Sequence, residues 1–452
     1  MEQRTIYIET YGCQMNVNDS EVVTAIMQQA GYGMAGELAA ADVVFINTCS
    51  IRENAEQRVW GRLEVFRQQK RRNPALLVGV LGCMAERLKE QLLEKGIVDI
   101  VAGPDAYRDL PRLTAQAGLG QKAINVLLSR EETYADISPV RMDRNGVTAF
   151  VSIMRGCNNM CTYCVVPYTR GGERSRDPGT IVREVQELFA RGYREVTLLG
   201  QNVDSYAWAD VKDPAKTVNF ARLLELVALV SPQLRVRFAT SHPKDMSNGV
   251  LYTMAMYPNI CDHIHLPVQS GSTRMLTLMN RKYTREEYLA RVAKIREIIP
   301  GCAISTDIIA GFCGETPEDH EATLSLMREV GFDQAFMFQY SERPNTKAAR
   351  HFKDDVPPEE KTRRLNEIIA LHNALSLQSN ERDVGQVREV LIEGVSKRSP
   401  EELFGRTPQN KVVVFPKGAC AVGTYAKVKI TRCSSATLIG ETIDNVNPKH
   451  VV

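Results

Sequence analysis

Three cysteines lie within eight residues of the sequence, and their spacing constrains the chain more than any other feature. Cys157, Cys161 and Cys164 follow the apolar stretch 149–154, which is typical of a buried strand. Thiolates are soft ligands that favour zinc, copper(I) or an iron–sulfur cluster. A structural zinc site needs a fourth ligand, and no cysteine or histidine pair with suitable spacing follows. The spacing therefore favours a [4Fe–4S] cluster with one open iron ahead of structural zinc.

Tyr163 lies directly before the last cysteine, and with it the motif resembles the signature of the radical SAM enzymes. The resemblance implies that the open iron binds S-adenosylmethionine. It also implies that an electron from the cluster releases a 5′-deoxyadenosyl radical. Such a cofactor is needed because a side-chain base cannot remove hydrogen from an unactivated C–H bond. The three cysteines are therefore the predicted catalytic residues.

Length and composition predict a soluble protein of two or three domains. The chain has 452 residues, of which 44% are apolar and 24% are charged. No stretch has the apolar length of a membrane span and residues 1–5 show no signal region, so we expect a cytoplasmic protein without a membrane partner. Eleven widely spread cysteines, an odd number, do not resemble a disulfide framework. The formal net charge of +2 neither supports nor excludes a nucleic-acid partner.

The segment 1–120 repeats one pattern three times. Each time an apolar run typical of a strand ends on a cysteine, and a helical stretch follows. Such alternation predicts a parallel α/β sheet, whose ligands bind beyond the carboxyl ends of the strands. One cysteine at such a place would be an ordinary packed thiol. Three at equivalent places favour a second cluster, held by Cys13, Cys49 and Cys83.

The two cysteine sets together resemble the methylthiotransferases, a family among the radical SAM enzymes. The resemblance includes Asn47-Thr48-Cys49 and Gly82-Cys83 and extends over nearly the whole chain. It implies an N-terminal domain with an auxiliary cluster beside the one that binds S-adenosylmethionine. The implied cofactors are two [4Fe–4S] clusters and S-adenosylmethionine.

The segment 143–376 alternates six apolar strands with helices, which predicts a partial (β/α)6 barrel of the TIM type. Functional residues on such a scaffold lie at the carboxyl ends of strands. The resemblance implies that the turn 200–202 holds the methionine moiety and that the turn at Gly311 approaches the adenine. Glycine-containing turns after strands are also common structural features. The predicted cofactor-binding residues are Tyr163, Gly200, Gln201, Asn202, Gln269, Ser270, Asp307 and Gly311.

Basic residues outside these motifs permit two interpretations. The helix after Cys49 carries six Arg and Lys residues between 58 and 72, which could contact RNA or form a solvated face among interleaved glutamates. Three arginines after the second cysteine set could contact an anion or lie at the surface: Arg170, Arg174 and Arg176. Arg281 and Lys282 could also contact an anion, but for these two the surface is the default interpretation.

The segment 377–442 changes to short alternating strands separated by glycines. This pattern predicts a small β-barrel of the kind that binds oligonucleotides. It resembles the TRAM domain, an RNA-binding module, with 396–398 and 405–407 in the family's places. A phosphate-contacting surface could be formed by Lys411, Lys427 and Lys429.

The resemblance as a whole implies a tRNA-modifying methylthiotransferase, since the phrase Thr240-Ser241-His242-Pro243 resembles the tRNA-modifying branch. The implied reaction is methylthiolation of C2 of N6-isopentenyladenosine next to the anticodon, with one S-adenosylmethionine as methyl donor and another as radical source. The alternatives are threonylcarbamoyladenosine in tRNA, an aspartate of a ribosomal protein, or a non-catalytic iron–sulfur RNA-binding protein. The implied partners are the anticodon stem-loop and an electron donor such as flavodoxin or ferredoxin, and we expect a monomer.

Overall fold

The computed structural model describes residues 3–49, 53–94, 96–142, 145–210, 213 and 215–443, so the predicted domain start at residue 143 lies outside them. An N-terminal α/β unit, a partial barrel and a C-terminal β-barrel follow one another, which confirms the predicted fold class. No helix in these ranges is both long enough and apolar enough to cross a membrane.

The N-terminal unit is a parallel sheet covered by helices on both faces. Its elements are β1 Thr5–Tyr11, α1 Gln14–Gln29, β2 Gly33–Met34, β3 Val43–Thr48, α2 Glu53–Arg72, β4 Leu77–Gly82, α3 Cys83–Leu88, α4 Glu90–Glu94, β5 Ile100–Ala102, α5 Leu110–Gly118 and β6 Ala123–Asn125. The strand order is β2-β1-β3-β4-β5-β6. Every residue of β3 is buried, as expected of a parallel strand covered on both faces. Since β6 pairs with β5, the sheet extends beyond residue 120, the predicted end of this domain.

The central unit is a partial barrel with its helices outside. Its elements are β7 Thr148–Ser152, β8 Met154–Arg155, α6 Val166–Arg170, β9 Arg174–Ser175, α7 Pro178–Ala190, β10 Glu195–Leu199, β11 Ala207–Ala209, β12 Thr217–Asn219, α8 Phe220–Ala228, β13 Arg235–Ala239, α9 Asn248–Met256, β14 His263–His265, α10 Thr273–Leu278, α11 Arg285–Ile298, β15 Ala303–Ala310, α12 Pro317–Val330, β16 Gln334–Gln339, α13 Lys347–His351 and α14 Pro358–Glu381. The parallel sheets β7-β10-β13 and β14-β15-β16 are joined by a bridge between Val236 and Ile260. Asp177 caps α7 by accepting the backbone N–H of Thr180 at 3.0 Å.

The C-terminal unit is a closed antiparallel barrel apart from one parallel pair. Its strands are β17 Val387–Val395, β18 Glu402–Arg406, β19 Val412–Pro416, β20 Tyr425–Cys433 and β21 Leu438–Thr442, in the order β17-β18-β19-β21-β20. It docks on the amino ends of β10 and β13 through Glu195, which is fully buried. Oε1 of Glu195 accepts from Arg406 at 2.9 Å, and Oε2 accepts from Arg237 at 2.8 Å. The C-terminal barrel is therefore fixed at the end of the partial barrel opposite the Cys157 loop.

Several basic residues that the sequence analysis considered as RNA contacts pair with other groups of the chain. The prediction that Lys411 contacts phosphate is wrong, because its ammonium group donates to Ser379 Oγ and to Asp383 Oδ2, both at 2.8 Å. On α2, three of the basic residues pair with carboxylates: Arg62 with Glu9, Arg67 with Glu64 and Lys70 with Asp99. These contacts favour the structural interpretation for those side chains.

Candidate active site

The first cysteine set lies at the carboxyl edge of the N-terminal sheet. Cys13 is the second residue after β1, and Cys49 and Cys83 immediately follow β3 and β4. These three strands are neighbours in the sheet. The last residues of these strands are cross-strand neighbours, so the three segments leave the sheet side by side. Gly12 permits this approach: its φ is +143°, and a Cβ there would lie 2.6 Å from Cys49 Cβ.

The thiols of this set differ in acidity because their surroundings differ. A hydrogen bond with Cys49 lowers the pKa of Cys13 to about 6; burial opposes this shift and the positive charge of Arg170 adds to it. Burial raises the pKa of Cys83, although Arg170 opposes that shift. Nε of Arg170 donates to Cys83 Sγ at 3.3 Å. The same guanidinium thus faces two of the three cysteines.

The second cysteine set lies on the loop between β8 and α6. The backbone N–H of Cys157 donates to Gly171 O at 3.1 Å, and that of Cys164 donates to Cys161 O at 3.0 Å. Gly156, with φ +78°, is required here because a Cβ would lie 2.0 Å from the carbonyl oxygen of Gly172. Burial raises the pKa of Cys157 to about 11 and that of Cys164 to about 12. These buried thiols need a bound metal to become thiolates at neutral pH.

Arg281 contacts this second set directly, so the prediction that it lies at the surface is wrong. Its Nη1 donates to Cys161 Sγ at 3.2 Å and to the Tyr163 hydroxyl at 3.5 Å. Its remaining acceptors are the Tyr283 hydroxyl and the Pro267 carbonyl. The side chain is buried and none of these acceptors is a carboxylate. A buried cation in such surroundings needs a negative sulfur ligand opposite it.

A buried ionic network joins the two cysteine sets. Arg170 ends α6, the helix that begins two residues after Cys164, and its Nη2 donates to Asp19 on α1 at 2.8 Å. Arg155 donates to the other oxygen of Asp19 at 2.8 Å. Arg174 pairs with Asp105 at 2.8 Å. Arg170, Arg174 and Arg176 are all buried, so the surface interpretation of these three residues is wrong.

The turn after β10 carries unpartnered polar atoms. Gln201 Oε1 and Asn202 Oδ1 are buried without a hydrogen-bond partner in the described part of the chain. Asn202 Nδ2 donates to Asp245 Oδ2 at 2.7 Å, which fixes the direction of its carbonyl oxygen. Gly200 leaves room for Met154, whose Cγ would lie 2.6 Å from an added Cβ. The two orphaned oxygens are acceptors suited to an ammonium group.

The other predicted cofactor residues differ in their contacts and in their burial. The Asp307 Oδ1 atom lies 3.5 Å from His265 Nε2 inside the barrel. Gln269 has φ +75° and donates its backbone N–H to the Asp307 carbonyl at 2.9 Å. Ser270 is fully buried against α12, with its Oγ 3.3 Å from Thr323 Oγ1. Gly311 has φ +70°, and the Tyr163 ring packs edge-on against Phe312.

His242 lies three residues after the end of β13 as a buried, neutral side chain. Its Nδ1 accepts the backbone N–H of Lys244 at 3.2 Å, so the remaining proton is on Nε2, which has no partner in the described residues. Burial lowers the pKa of His242 to about 2, and Arg281 contributes to the shift.

The donor set of three cysteines at each place is the ligand type that iron–sulfur clusters take. No group of three or more His, Cys, Asp or Glu side chains converges as a mononuclear site in the described ranges. A cubane binds each thiolate through a different iron, so its cysteines surround a volume instead of meeting at one point. Each set also has a buried arginine that donates to one of its sulfurs, which suits the negative charge of a cluster with thiolate ligands.

Sequence reasoning did not find the roles of Arg170, Arg281 and Asp19. Each contacts a partner more than eighty positions away, and no local spacing signals such a contact. The only sequence signal was the position of Arg170 six residues after Cys164.

Comparison with family models assigns the three units separately. Residues 5–103 match the model described as Uncharacterized protein family UPF0004. Residues 151–327 match the Radical SAM superfamily, and residues 381–443 match the TRAM domain.

Curated relatives match the chain along its whole length. A tRNA-2-methylthio-N(6)-dimethylallyladenosine synthase from Bacteroides thetaiotaomicron is 59% identical over 98% of this chain and 97% of its own. The synthase of the same name from Phocaeicola vulgatus is 60% identical over 98% of this chain and 96% of its own. Among solved structures, the radical S-adenosylmethionine methyltransferase TsrM from Kitasatospora setae matches with a TM-score of 0.58 at 16% identity, covering 77% of this chain and 75% of that one. The last comparison concerns the fold alone.

Proposed function

The chain belongs to the family of tRNA-2-methylthio-N(6)-dimethylallyladenosine synthases, and on that basis we propose that it methylthiolates C2 of N6-isopentenyladenosine next to the anticodon of tRNA. The protein is a radical SAM enzyme. The observation that carries the proposal is the placement of the two cysteine sets at opposite ends of α6, where Arg170, the last residue of this helix, donates to Cys83. The names of the relatives support this nucleoside over threonylcarbamoyladenosine and over a ribosomal-protein aspartate.

Each cysteine set would hold one [4Fe–4S] cluster. Cys13, Cys49 and Cys83 would bind the first, and Cys157, Cys161 and Cys164 the second. When bound, the clusters and S-adenosylmethionine supply the sulfur carrier, the methyl donor and the 5′-deoxyadenosyl radical that the reaction needs.

The chain's own residues bind and orient these groups. Arg281 donates a hydrogen bond to Cys161 Sγ and so orients this cysteine. The orphaned oxygens of Gln201 and Asn202 are available to the ammonium group of S-adenosylmethionine, and this supports their assignment to its methionine end. Cys49, Cys83 and Cys161 are buried and the other three cysteines are half-buried, which limits the access of water to both sets.

The substrate and partners follow from the same assignment. We propose that the TRAM barrel helps to bind the anticodon stem-loop, that a flavodoxin or ferredoxin supplies the electron, and that the enzyme acts as a cytoplasmic monomer.

The test is mass spectrometry of tRNA nucleosides. Expressed in bacteria that make N6-isopentenyladenosine but cannot methylthiolate it, the chain should produce 2-methylthio-N6-isopentenyladenosine. The matched control is Cys157→Ala, which should leave only the unmodified nucleoside. A methylthio group found on threonylcarbamoyladenosine alone, or no modified nucleoside, would contradict the proposal.

A further inference from the structure

Arg170 lies on a short helix between the two cysteine sets. It is the last residue of α6, a five-residue helix whose first backbone N–H donates to Cys164 Sγ at 3.4 Å. At the other end of this helix, Nε of Arg170 donates to Cys83 Sγ of the first set. One short, rigid element therefore contacts both sets.

The Arg170 guanidinium is only partly satisfied. Its Nη2 is held by Asp19 and its Nε by Cys83, while Nη1 is buried and has no acceptor in the described residues. Buried donors of a charged group are normally paired, because an unpaired one loses its hydration without compensation. An acceptor for Nη1 is thus missing from the described residues.

The local charge balance indicates the sign of that acceptor. The network contains three guanidinium groups and two carboxylates, all of them buried, and so carries one uncompensated positive charge. Outside the network, the groups that interact with Arg170 and can become negative are Cys83, Tyr107 and Cys13, and a thiol is ordinarily more acidic than a phenol. An anionic group at the first cysteine set would balance the charge. The five charged side chains of the network are Arg155, Arg170, Arg174, Asp19 and Asp105.

We infer that Arg170 is a positioning residue for the first cluster, donating from Nε to the Cys83 thiolate and holding its positive charge beside the cluster. This inference rests on the proposed function, which supplies the cluster. Hydrogen bonds and positive charge at the sulfurs stabilise the reduced, more negative form of a cluster, so Arg170 raises its reduction potential. The anchoring of Nη2 by Asp19 fixes the direction of both other donors.

The test is the midpoint potential of the first cluster, measured in the full chain with Cys157, Cys161 and Cys164 replaced by alanine. In this background Arg170→Gln should lower the midpoint potential of the cluster by about 59 mV, which for one electron is a tenfold change in the equilibrium constant of reduction. Arg170→Lys, which keeps the charge but not the fork of donors, should shift it in the same direction by less. The matched control is Arg176→Gln, which removes another buried arginine–carboxylate pair but touches no cysteine.

The outcomes separate this inference from the proposed function. A background protein that binds no iron contradicts the first cluster and the inference with it. About four irons per chain with the same potential in Arg170→Gln and the background overturns only the role of Arg170. If both Arg170 variants lose the cluster, equal melting temperatures of the metal-free Arg170→Gln and Arg176→Gln proteins support positioning. A much lower melting temperature for Arg170→Gln would mean a purely structural role and would overturn the inference.

Discussion

Nη1 of Arg281 lies 3.2 Å from Sγ of Cys161, although the two residues are 120 positions apart in the chain. The side chain crosses from the segment after α10 to the second cysteine loop, and its position is fixed by the Pro267 carbonyl at 2.9 Å. Partners of this kind orient a metal ligand and tune its basicity, and their loss costs about 10- to 100-fold in metal affinity or activity.

We therefore expect Arg281→Gln to lower the rate of 5′-deoxyadenosine formation about tenfold or more, because Cys161 loses its charged donor. Arg281→Lys keeps the charge but reaches fewer acceptors, so its rate should be intermediate. The measurement is chromatography of the nucleoside together with iron content per chain. The control is Lys282→Gln, an exposed neighbour. Equal rates in Arg281→Gln and Lys282→Gln would contradict the assignment.

The two cysteine sets should be separable by substitution. Cys13→Ala should retain about four irons and continue to cleave S-adenosylmethionine, but give no methylthio product, because only the first cluster is lost. Cys157→Ala should abolish cleavage. Cys302→Ala, a buried thiol in the barrel core outside both sets, is the control and should retain both activities. Cleavage that persists in Cys157→Ala would exclude the radical assignment.

The sequence predicted the strands and the cysteines because their signals are local. Apolar runs such as 43–48 form strands of a parallel sheet that helices cover on both faces. Cysteines at the carboxyl ends of such strands then lie at one edge of the sheet. The closed C-terminal barrel was predictable for the same reason, from alternating runs and glycines.

Contacts between distant segments were not predictable in this way. Lys411 looked like a free phosphate ligand, but docking of the barrel on α14 brings Asp383 to its ammonium group. The sequence left Arg170 open between an anion contact and the surface, and the surface was the default for Arg281 because arginine is usually exposed. Only the folded arrangement places a sulfur opposite each of them.

Glu195 should make the docking of the C-terminal barrel sensitive to acid. Burial alone would raise the pKa of Glu195, but Arg237 and Arg406 outweigh it and lower the pKa below the usual value of 4.5. A lowered folded-state pKa means that the stabilisation is present above the unfolded-state value and is lost as the pH falls through the folded-state value. We expect Glu195→Gln to lower the free energy of unfolding at pH 7 by about 3–5 kcal/mol, because it leaves the buried Arg237 guanidinium without its carboxylate and removes one of the two carboxylates that pair with Arg406.

Urea unfolding at pH 7 and at about pH 3 measures this effect, and the difference from the unsubstituted chain should shrink at the lower pH. Glu321→Gln removes an exposed ion pair with Arg328 and should change stability by less than about 1 kcal/mol. Similar losses in the two variants at pH 7 would show that Glu195 does not secure the barrel.

The TRAM barrel should bind tRNA through the turn between β17 and β18. Lys397 and Arg398 are exposed there and form no ion pair within the described residues. Lys427 and Lys429 are also exposed but lie opposite Glu389 and Glu441 in the sheet, which places a carboxylate residue beside each of them. Lys397→Glu with Arg398→Glu should therefore weaken tRNA binding and reduce the slope of log K against log salt by about 1 for each phosphate that is no longer neutralised. Lys427→Glu with Lys429→Glu is the matched comparison and should change both quantities less. Filter binding at several salt concentrations measures both, and a larger loss of affinity in the second pair would move the RNA-binding surface to the face of β20.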